Sequence, residues 1–219
     1  MSMKVKAVAL TVAVVVIVAC GGSGEDSFGN KVPVITACYP CKGLAGDQIT
    51  IIGHDLTGVG SSLTADVGGT NATIVSATPT KIVITAPAGA GAAPVHIPNS
   101  IGQSTSADTF TYGATTVVPE VEPNDNINGT NATQVGMNTK ASGTLNGVAD
   151  KDHFVFGCLD KGQPFTIKVT PPVVNQVFVD GVGYPVDANG VALFYPQGSS
   201  ALVGLTGGSG AYTIEMSLK

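Results

Sequence analysis

The spacing of apolar residues beyond residue 20 constrains the fold more than any other feature of this sequence. No stretch repeats apolar residues at the 3.6-residue period of an amphipathic helix, whereas short β-branched runs with partial alternation recur between Gly, Pro, Asn and Asp. Such runs predict strands joined by tight turns, and seven short strands at this spacing suggest a sandwich of immunoglobulin type. The seven predicted strands are 32–37, 48–53, 64–68, 72–76, 81–86, 94–98 and 109–112.

Residues 32–113 carry motifs that resemble the IPT/TIG domain family, in the order in which that family has them. The opening motifs are PVIT at 33–36 and GLAGDQITIIG at 43–53, and the closing motif is FTY at 110–112. The resemblance implies an immunoglobulin-like β-sandwich over 32–113, in which glycines form the turns. The side chains expected to face its core are Ile49, Ile51, Ile82, Ile84, Val95 and Ile97.

A second domain is predicted over residues 120–219, after a short uncharged linker at 114–119. Residues 120–125 read EVEPND, which resembles the start of the bacterial pre-peptidase C-terminal (PPC) domain, a β-sandwich appended to secreted peptidases. The resemblance reappears at 150–156 and 210–216 but does not extend through Thr170 to Gly208. Runs at 165–169, 177–179, 191–195 and 212–216 still predict strands there. The expected fold class is therefore all-β, with two sandwiches.

The first residues have the pattern of an export signal. Residues 1–19 combine two lysines with an uncharged apolar run, which is too short for a comfortable membrane span. Residues 17–20 read IVAC and resemble the lipobox of bacterial lipoproteins, which implies lipidation of Cys20 and a flexible tether over 20–31. Gly21 favours the outer membrane or cell surface by the same resemblance. The alternative is an ordinary secretory signal with an incidental cysteine.

Charge and composition exclude one class of partner. The chain has 10 basic residues, all lysine, against 15 acidic ones, for a net charge of −5. A nucleic-acid binder needs a basic stripe to neutralise phosphates, so no nucleic acid is expected as a partner. Aromatic residues are only 5% and tryptophan is absent, so a stacking platform for sugars is not obvious.

The cysteines beyond Cys20 are three in number, and two of them form a Cys-x-x-Cys motif, Cys38-Tyr39-Pro40-Cys41. The motif ends a predicted strand instead of starting a helix, which argues against a thioredoxin-like redox site. In an oxidising compartment we expect a local disulfide between Cys38 and Cys41, with free thiols as the alternative. Cys158 is expected to be a buried small apolar residue.

An acidic cluster is the main candidate for a specific ligand. Carboxylates and one amide within residues 120–125, with a second acidic pair downstream, offer the hard oxygens that calcium prefers. The resemblance adds that related domains of secreted collagenases bind calcium through an equivalent run, although His153 and Ala149 depart from it. The alternative is a solvated turn at Pro123. The predicted calcium ligands are Glu120, Glu122, Asn124, Asp125, Asp150 and Asp152.

No catalytic constellation is expected. A hydrolase needs a nucleophile, a base and an orienting group, and the three histidines fall in predicted strands or strand ends without a nucleophile motif. We therefore expect a non-catalytic, lipid-anchored surface protein that contacts an unknown protein or an envelope or extracellular polymer. One alternative is a polymer- or carbohydrate-binding accessory to a secreted hydrolase, which an exposed strip of Tyr184, Phe194 and Tyr195 would favour. The other is a redox protein using Cys38 and Cys41.

Overall fold

The computed structural model describes residues 31–57, 63–99, 101–125 and 130–219, apart from the Asp108 side chain. These residues form strands and turns with no helix, which confirms the predicted all-β fold class. The predicted signal peptide, the lipidation site at Cys20 and the tether up to residue 30 lie outside the described residues.

Nine strands of the described residues build the first sandwich. They are β1 (Val34–Tyr39), β2 (Lys42–Gly43), β3 (Gln48–His54), β4 (Asp66–Val67), β5 (Thr70–Asn71), β6 (Thr73–Ala77), β7 (Lys81–Thr85), β8 (Ala92–Pro98) and β9 (Gln103–Tyr112). One sheet has the order β1-β3-β7-β6 and the other β2-β9-β8-β4-β5. Alternate residues of β3 and β7 are buried, as a two-residue side-chain period requires when one face covers a core. The six predicted core residues are confirmed as fully buried: Ile49, Ile51, Ile82, Ile84, Val95 and Ile97.

In the part of the chain that the structure describes, ten strands build the second sandwich. They are β10 (Val117–Pro119), β11 (Thr133–Gly136), β12 (Lys140–Asn146), β13 (Lys151–Gly157), β14 (Phe165–Thr170), β15 (Gln176–Val179), β16 (Val182–Pro185), β17 (Val191–Phe194), β18 (Ser200–Thr206) and β19 (Ser209–Leu218). One sheet has the order β10-β12-β19-β14-β17 and the other β11-β13-β18-β15-β16. Large aromatic side chains fill the core between them, led by Phe154, Phe156, Phe165 and Phe194. The strand β18 lies at the centre of its sheet but was not predicted, because its small residues give a weak apolar pattern.

The two sandwiches meet at a contact that we call the joint, formed by Tyr39, Cys41, Cys158 and Asp160. The Tyr39 ring leaves the first sandwich and is buried in the core of the second, edge-on to Phe165 with ring centroids 5.1 Å apart. Its hydroxyl donates a hydrogen bond of 3.1 Å to the Met216 carbonyl. Burial, and secondarily the charge of Glu215, raises the pKa of Tyr39 well above its usual range. The phenol therefore stays neutral and able to donate.

The predicted disulfide between Cys38 and Cys41 is wrong. Cys41 is bonded to Cys158, across the joint, with the two Cα atoms 6.2 Å apart. Successive side chains of a strand point to opposite faces, so Cys38 enters the first core while Tyr39 enters the second. Cys41 follows on the side of the second sandwich, where Cys158 lies. The assignment of Cys158 as an apolar filler is corrected by the same bond.

Further contacts close the joint around this disulfide. The Cys38 backbone N–H donates to Asp160 Oδ2 at 3.2 Å. Lys42 Nζ donates to Asn138 Oδ1 at 3.3 Å, and the same oxygen accepts a hydrogen bond from the Thr116 N–H in the connecting segment. The sandwiches are therefore linked covalently, by a buried ring and by hydrogen bonds.

The disulfide pattern gives a first prediction. The full chain carrying Cys20→Ser, denatured without reductant, should contain one thiol, and alkylation with peptide mapping should place it at Cys38. Peptides containing Cys41 and Cys158 should be recovered linked to each other. A linked Cys38–Cys41 peptide would contradict the joint.

Candidate metal centre

Glu120 is held at the point where the chain enters the second sandwich. It follows β10, which pairs in parallel with β12 so that Pro119 lies opposite Ser142. The Glu120 N–H donates to the Ser142 carbonyl at 2.8 Å, and Glu120 Oε1 accepts from the Thr144 N–H at 2.7 Å. These bonds fix the side chain against β12 and leave its other oxygen, Oε2, buried without a hydrogen-bond partner in the described structure.

Asp152 comes from the opposite sheet. On β13 the residues Asp152, Phe154 and Phe156 face the core in turn, because every second side chain of a strand shares one face. Asp152 is fully buried, and its Oδ2 accepts a hydrogen bond of 2.5 Å from the Tyr212 hydroxyl. Among the described residues, no N–H or O–H donor reaches its Oδ1, so a hydrogen bond between Asp152 and Glu120 requires a proton shared by the two carboxyl groups. A buried carboxylate oxygen left in this state is costly unless a proton or a cation satisfies it.

Glu122 and Asn124 belong to the segment after β10 and complete the surroundings of the Glu120 and Asp152 carboxylates. The Asn124 N–H donates to Glu122 Oε2 at 2.8 Å, and the Asn124 carbonyl accepts a hydrogen bond of 3.0 Å from His153 Nδ1. Asn124 is fully buried, yet neither polar atom of its side-chain amide has a partner in the described part of the chain. Buried amides are usually hydrogen-bonded, so this one indicates that a ligand belongs nearby.

The three carboxylates of Glu120, Glu122 and Asp152 converge, with one oxygen of each within 4.8 Å of the others. Burial raises the pKa of Asp152 to about 7. The opposing hydrogen bond from Tyr212 lowers the pKa, whereas the charge of Glu120 and a hydrogen bond between the Glu120 and Asp152 side chains raise it further. Burial also raises the pKa of Glu120. Like charges held this close cannot all ionise without compensation, so the cluster takes up either a proton or a cation.

The chemistry of this donor set fits calcium. Carboxylate and amide oxygens on irregular backbone are the ligands that calcium prefers, and orphaned acceptors at Glu120 and Asp152 supply two of them. Glu120, Glu122 and Asp152 would hold the ion, and Asn124 lies beside them. The predicted calcium site stays a prediction, now restricted to these residues.

Two of the six predicted ligands are engaged elsewhere. Asp125 Oδ1 accepts from the Lys151 N–H at 3.2 Å. Asp150 accepts from the N–H groups of Asn146 at 2.5 Å and Lys151 at 3.1 Å. Both side chains therefore brace the turn before β13, as acidic residues often do when they bond to nearby backbone.

Sequence reasoning missed Tyr212 and Gly143. Tyr212 lies 60 residues from Asp152 along the chain and in the opposite sheet, so only the packing of the two sheets against each other brings the two residues together. Gly143 pairs with Tyr212, and a Cβ there would collide with Glu120 Oε2 and the Tyr212 hydroxyl. The site therefore needs glycine at 143 for space.

Each histidine has a ring nitrogen within hydrogen-bond distance of an oxygen of another residue. His54 Nδ1 lies 2.8 Å from Asp55 Oδ2, and His96 Nδ1 lies 2.7 Å from Asp66 Oδ1. Asp66 also accepts from the Gly69 N–H, so it ties β8 to the turn between β4 and β5. His153 donates to the Asn124 carbonyl.

Comparison with known protein families agrees with the predicted family of the first sandwich. Residues 33–112 match the family described as the IPT/TIG domain, which confirms the resemblance of this region. A search of curated protein sequences finds no significant match. The PPC resemblance of the second sandwich stays a prediction. Within the described residues, no helix has the length and apolar character needed to cross a membrane.

Several solved structures are similar to this chain at low identity. A surface glycan-binding protein from Prevotella bryantii is 11% identical with a TM-score of 0.40, over 85% of this chain and 70% of that one. A protein from a xyloglucan utilization locus in Bacteroides uniformis is 11% identical with a TM-score of 0.37, over 86% and 74%. A protein of unknown function from Bacteroides thetaiotaomicron is 12% identical with a TM-score of 0.35, over 80% of this chain but only 38% of its own length.

Calcium binding gives a second prediction. At about 10 mM calcium, an affinity of about 10⁻⁴ to 10⁻³ M stabilises the folded state by about 1.4 to 2.7 kcal/mol. That corresponds to a rise of about 3 to 10 °C in the melting temperature of a chain this size. Glu122→Gln should abolish most of the rise. Glu215→Gln, the same change at a partly exposed residue paired with Lys140, should retain it.

The pH dependence of this gain follows from the raised pKa of Asp152. In the metal-free protein, protonation of Asp152 stabilises the folded state. This contribution is fully present below the pKa that Asp152 has in the unfolded chain, and it is lost as pH rises through about 7. The calcium-induced rise should therefore be larger at pH 8 than at pH 5.5. Identical melts with calcium, with magnesium and with chelator at both pH values would contradict the site.

Proposed function

We propose that this chain is a non-catalytic, lipid-anchored surface protein whose two sandwiches act as one rigid arm that presents the second sandwich to an extracellular polymer. The observation that carries the proposal is the joint. Domains connected only by a linker are expected to move relative to one another. Here the Cys41–Cys158 disulfide and the buried Tyr39 ring oppose that motion.

The cation site supports the same role. Glu120 and Glu122 come from the segment that enters the second sandwich, and Asp152 comes from the opposite sheet. A bound calcium ion would therefore hold the two sheets together at the end where the chain arrives from the joint. Calcium is available outside the cell, so the arm would be most stable where it functions.

The redox alternative is disfavoured by the placement of the cysteines. Cys41 is bonded to Cys158, and Cys38 is buried in the first core on β1. Reactive cysteine pairs instead lie at helix starts, where the thiolate is stabilised and accessible. The disulfide therefore supports a structural role.

The aromatic strip that would favour polymer binding does not form from the predicted residues. Phe194 is fully buried, and its ring packs against Phe165 and Tyr184. Tyr195 is 49% exposed, which leaves it as a single ring beside a buried one. Any polymer contact must therefore involve other side chains.

Anchoring gives the third prediction. Cells expressing the wild-type chain should carry it in the membrane fraction, labelled by a radioactive or alkyne-tagged fatty acid. Cys20→Ser should abolish the label and release the protein. Cys38→Ser, which alters a cysteine in the first core, serves as the matched control and should stay labelled. Membrane retention of Cys20→Ser at the wild-type level would contradict the anchor.

A further inference from the structure

Three exposed aliphatic side chains lie at one end of the first sandwich, where β1 begins. Val32 is 41% exposed, Val34 is 37% exposed and Ile101 is 51% exposed. Ile101 belongs to the turn between β8 and β9, and this turn lies beside β1 because the Ile35 N–H donates to Ser104 Oγ, in β9, at 2.9 Å. Single exposed aliphatic residues are ordinary on a protein surface, but a group of them indicates contact with a partner or a membrane. We call Val32, Val34 and Ile101 the end patch.

The Asn99 side chain holds two members of the end patch in place. Its Nδ2 donates to the Lys31 carbonyl at 2.8 Å, and its Oδ1 accepts from the Ile101 and Gly102 N–H groups at 2.8 and 2.9 Å. The Val32 side chain lies against the same turn, since a Cβ on Gly102 would be 3.0 Å from Val32 Cγ2. These hydrogen bonds fix the backbone, while the two aliphatic side chains stay exposed.

The end patch lies where the predicted lipid anchor joins the sandwich. Cys20 and Lys31 are 11 residues apart, so the chain between them spans at most about 40 Å. The joint lies at the other end of the sandwich. β9 begins beside the end patch and ends at Tyr112, which pairs with Gly43 next to the joint, and its ten residues span about 33 Å. The end patch therefore adjoins the anchored segment and faces away from the second sandwich.

The charged residues around the end patch suit a layer of lipid headgroups. Lys31 adjoins the end patch, and Lys81 begins β7 at the same end of the sandwich. The acidic residue there is Asp55, which follows the pairing of His54 with Val34 and has its Oδ2 2.8 Å from His54 Nδ1. Lysines are attracted to the phosphates of anionic lipids, and apolar side chains beside them enter the boundary between headgroups and acyl chains.

We propose that the end patch docks on the lipid surface in which Cys20 is anchored. The anchor keeps the end patch at a high effective concentration near that surface, so a contact too weak to hold a free protein is enough to orient an anchored one. The arm then stands on the first sandwich and holds the second sandwich away from the membrane. The inference rests on the proposed function, because it requires the lipid anchor and specifies how the anchored arm is oriented.

The sequence contains no tryptophan, so one introduced tryptophan reports on its own surroundings. The test places the lipidated full chain carrying Ile101→Trp in vesicles of phosphatidylethanolamine and phosphatidylglycerol, with or without bromine on the acyl chains. A docked reporter lies about 5–10 Å into the headgroup and acyl boundary, so brominated lipid should remove most of its emission. Leu44→Trp is the matched control, at a position 52% exposed beside the joint, and should keep its emission. Val32→Asp combined with Ile101→Trp should restore the emission, because a carboxylate opposes entry into the boundary.

Equal emission from Ile101→Trp and Leu44→Trp in brominated vesicles would overturn the proposal, and so would quenching that Val32→Asp leaves unchanged. A blue shift of Ile101→Trp that grows with protein concentration and needs no lipid would instead assign the end patch to a second copy of the chain. If Ile101→Trp does not fold, Val34→Trp reports from the same patch. A chain that floats with the vesicles but is not quenched would remove the docking and leave the proposed function standing. A chain that does not float with them would remove the anchor and this inference together.

Discussion

The burial of the Tyr39 side chain in a core that belongs to the other sandwich is the constraint on which the rest of the structure depends. Because side chains alternate along β1, placing Tyr39 in the second core requires Cys38 to enter the first. The turn that follows then brings Cys41 to Cys158. The end of β1 thus determines which cysteines form the disulfide, where Asp160 lies and how the two sandwiches are placed against each other.

The carboxylate cluster forms where the chain enters the second sandwich. The segment after β10 enters the second sandwich beside β12 and carries Glu120 against Asp152 of the opposite sheet. Closing the sandwich buries these groups, which raises the pKa of Asp152 and leaves oxygens without donors. The energetic cost of that burial is what a calcium ion would offset. The Asn124 carbonyl then connects this segment to β13 by accepting a hydrogen bond from His153.

Local sequence patterns correctly predicted the features that depend on residues close together in the sequence. The alternation in β3 and β7 identified Ile49 and Ile82 as core residues, and the acidic run identified Glu120 and Glu122. The predictions that failed concern features set by the register between strands that are distant in the sequence. The partner of Cys41 lies 117 residues away, so Cys-x-x-Cys spacing suggested the nearer but wrong pair.

The central claim is that the joint makes the two sandwiches one mechanical unit, and calorimetry tests it most directly. The wild-type chain should unfold in a single transition whose calorimetric and van't Hoff enthalpies agree. Replacing Tyr39, Cys41 and Cys158 with alanine together should split it into two transitions, one for each sandwich. Two independent transitions in the wild-type chain, unchanged by the triple substitution, would contradict the account.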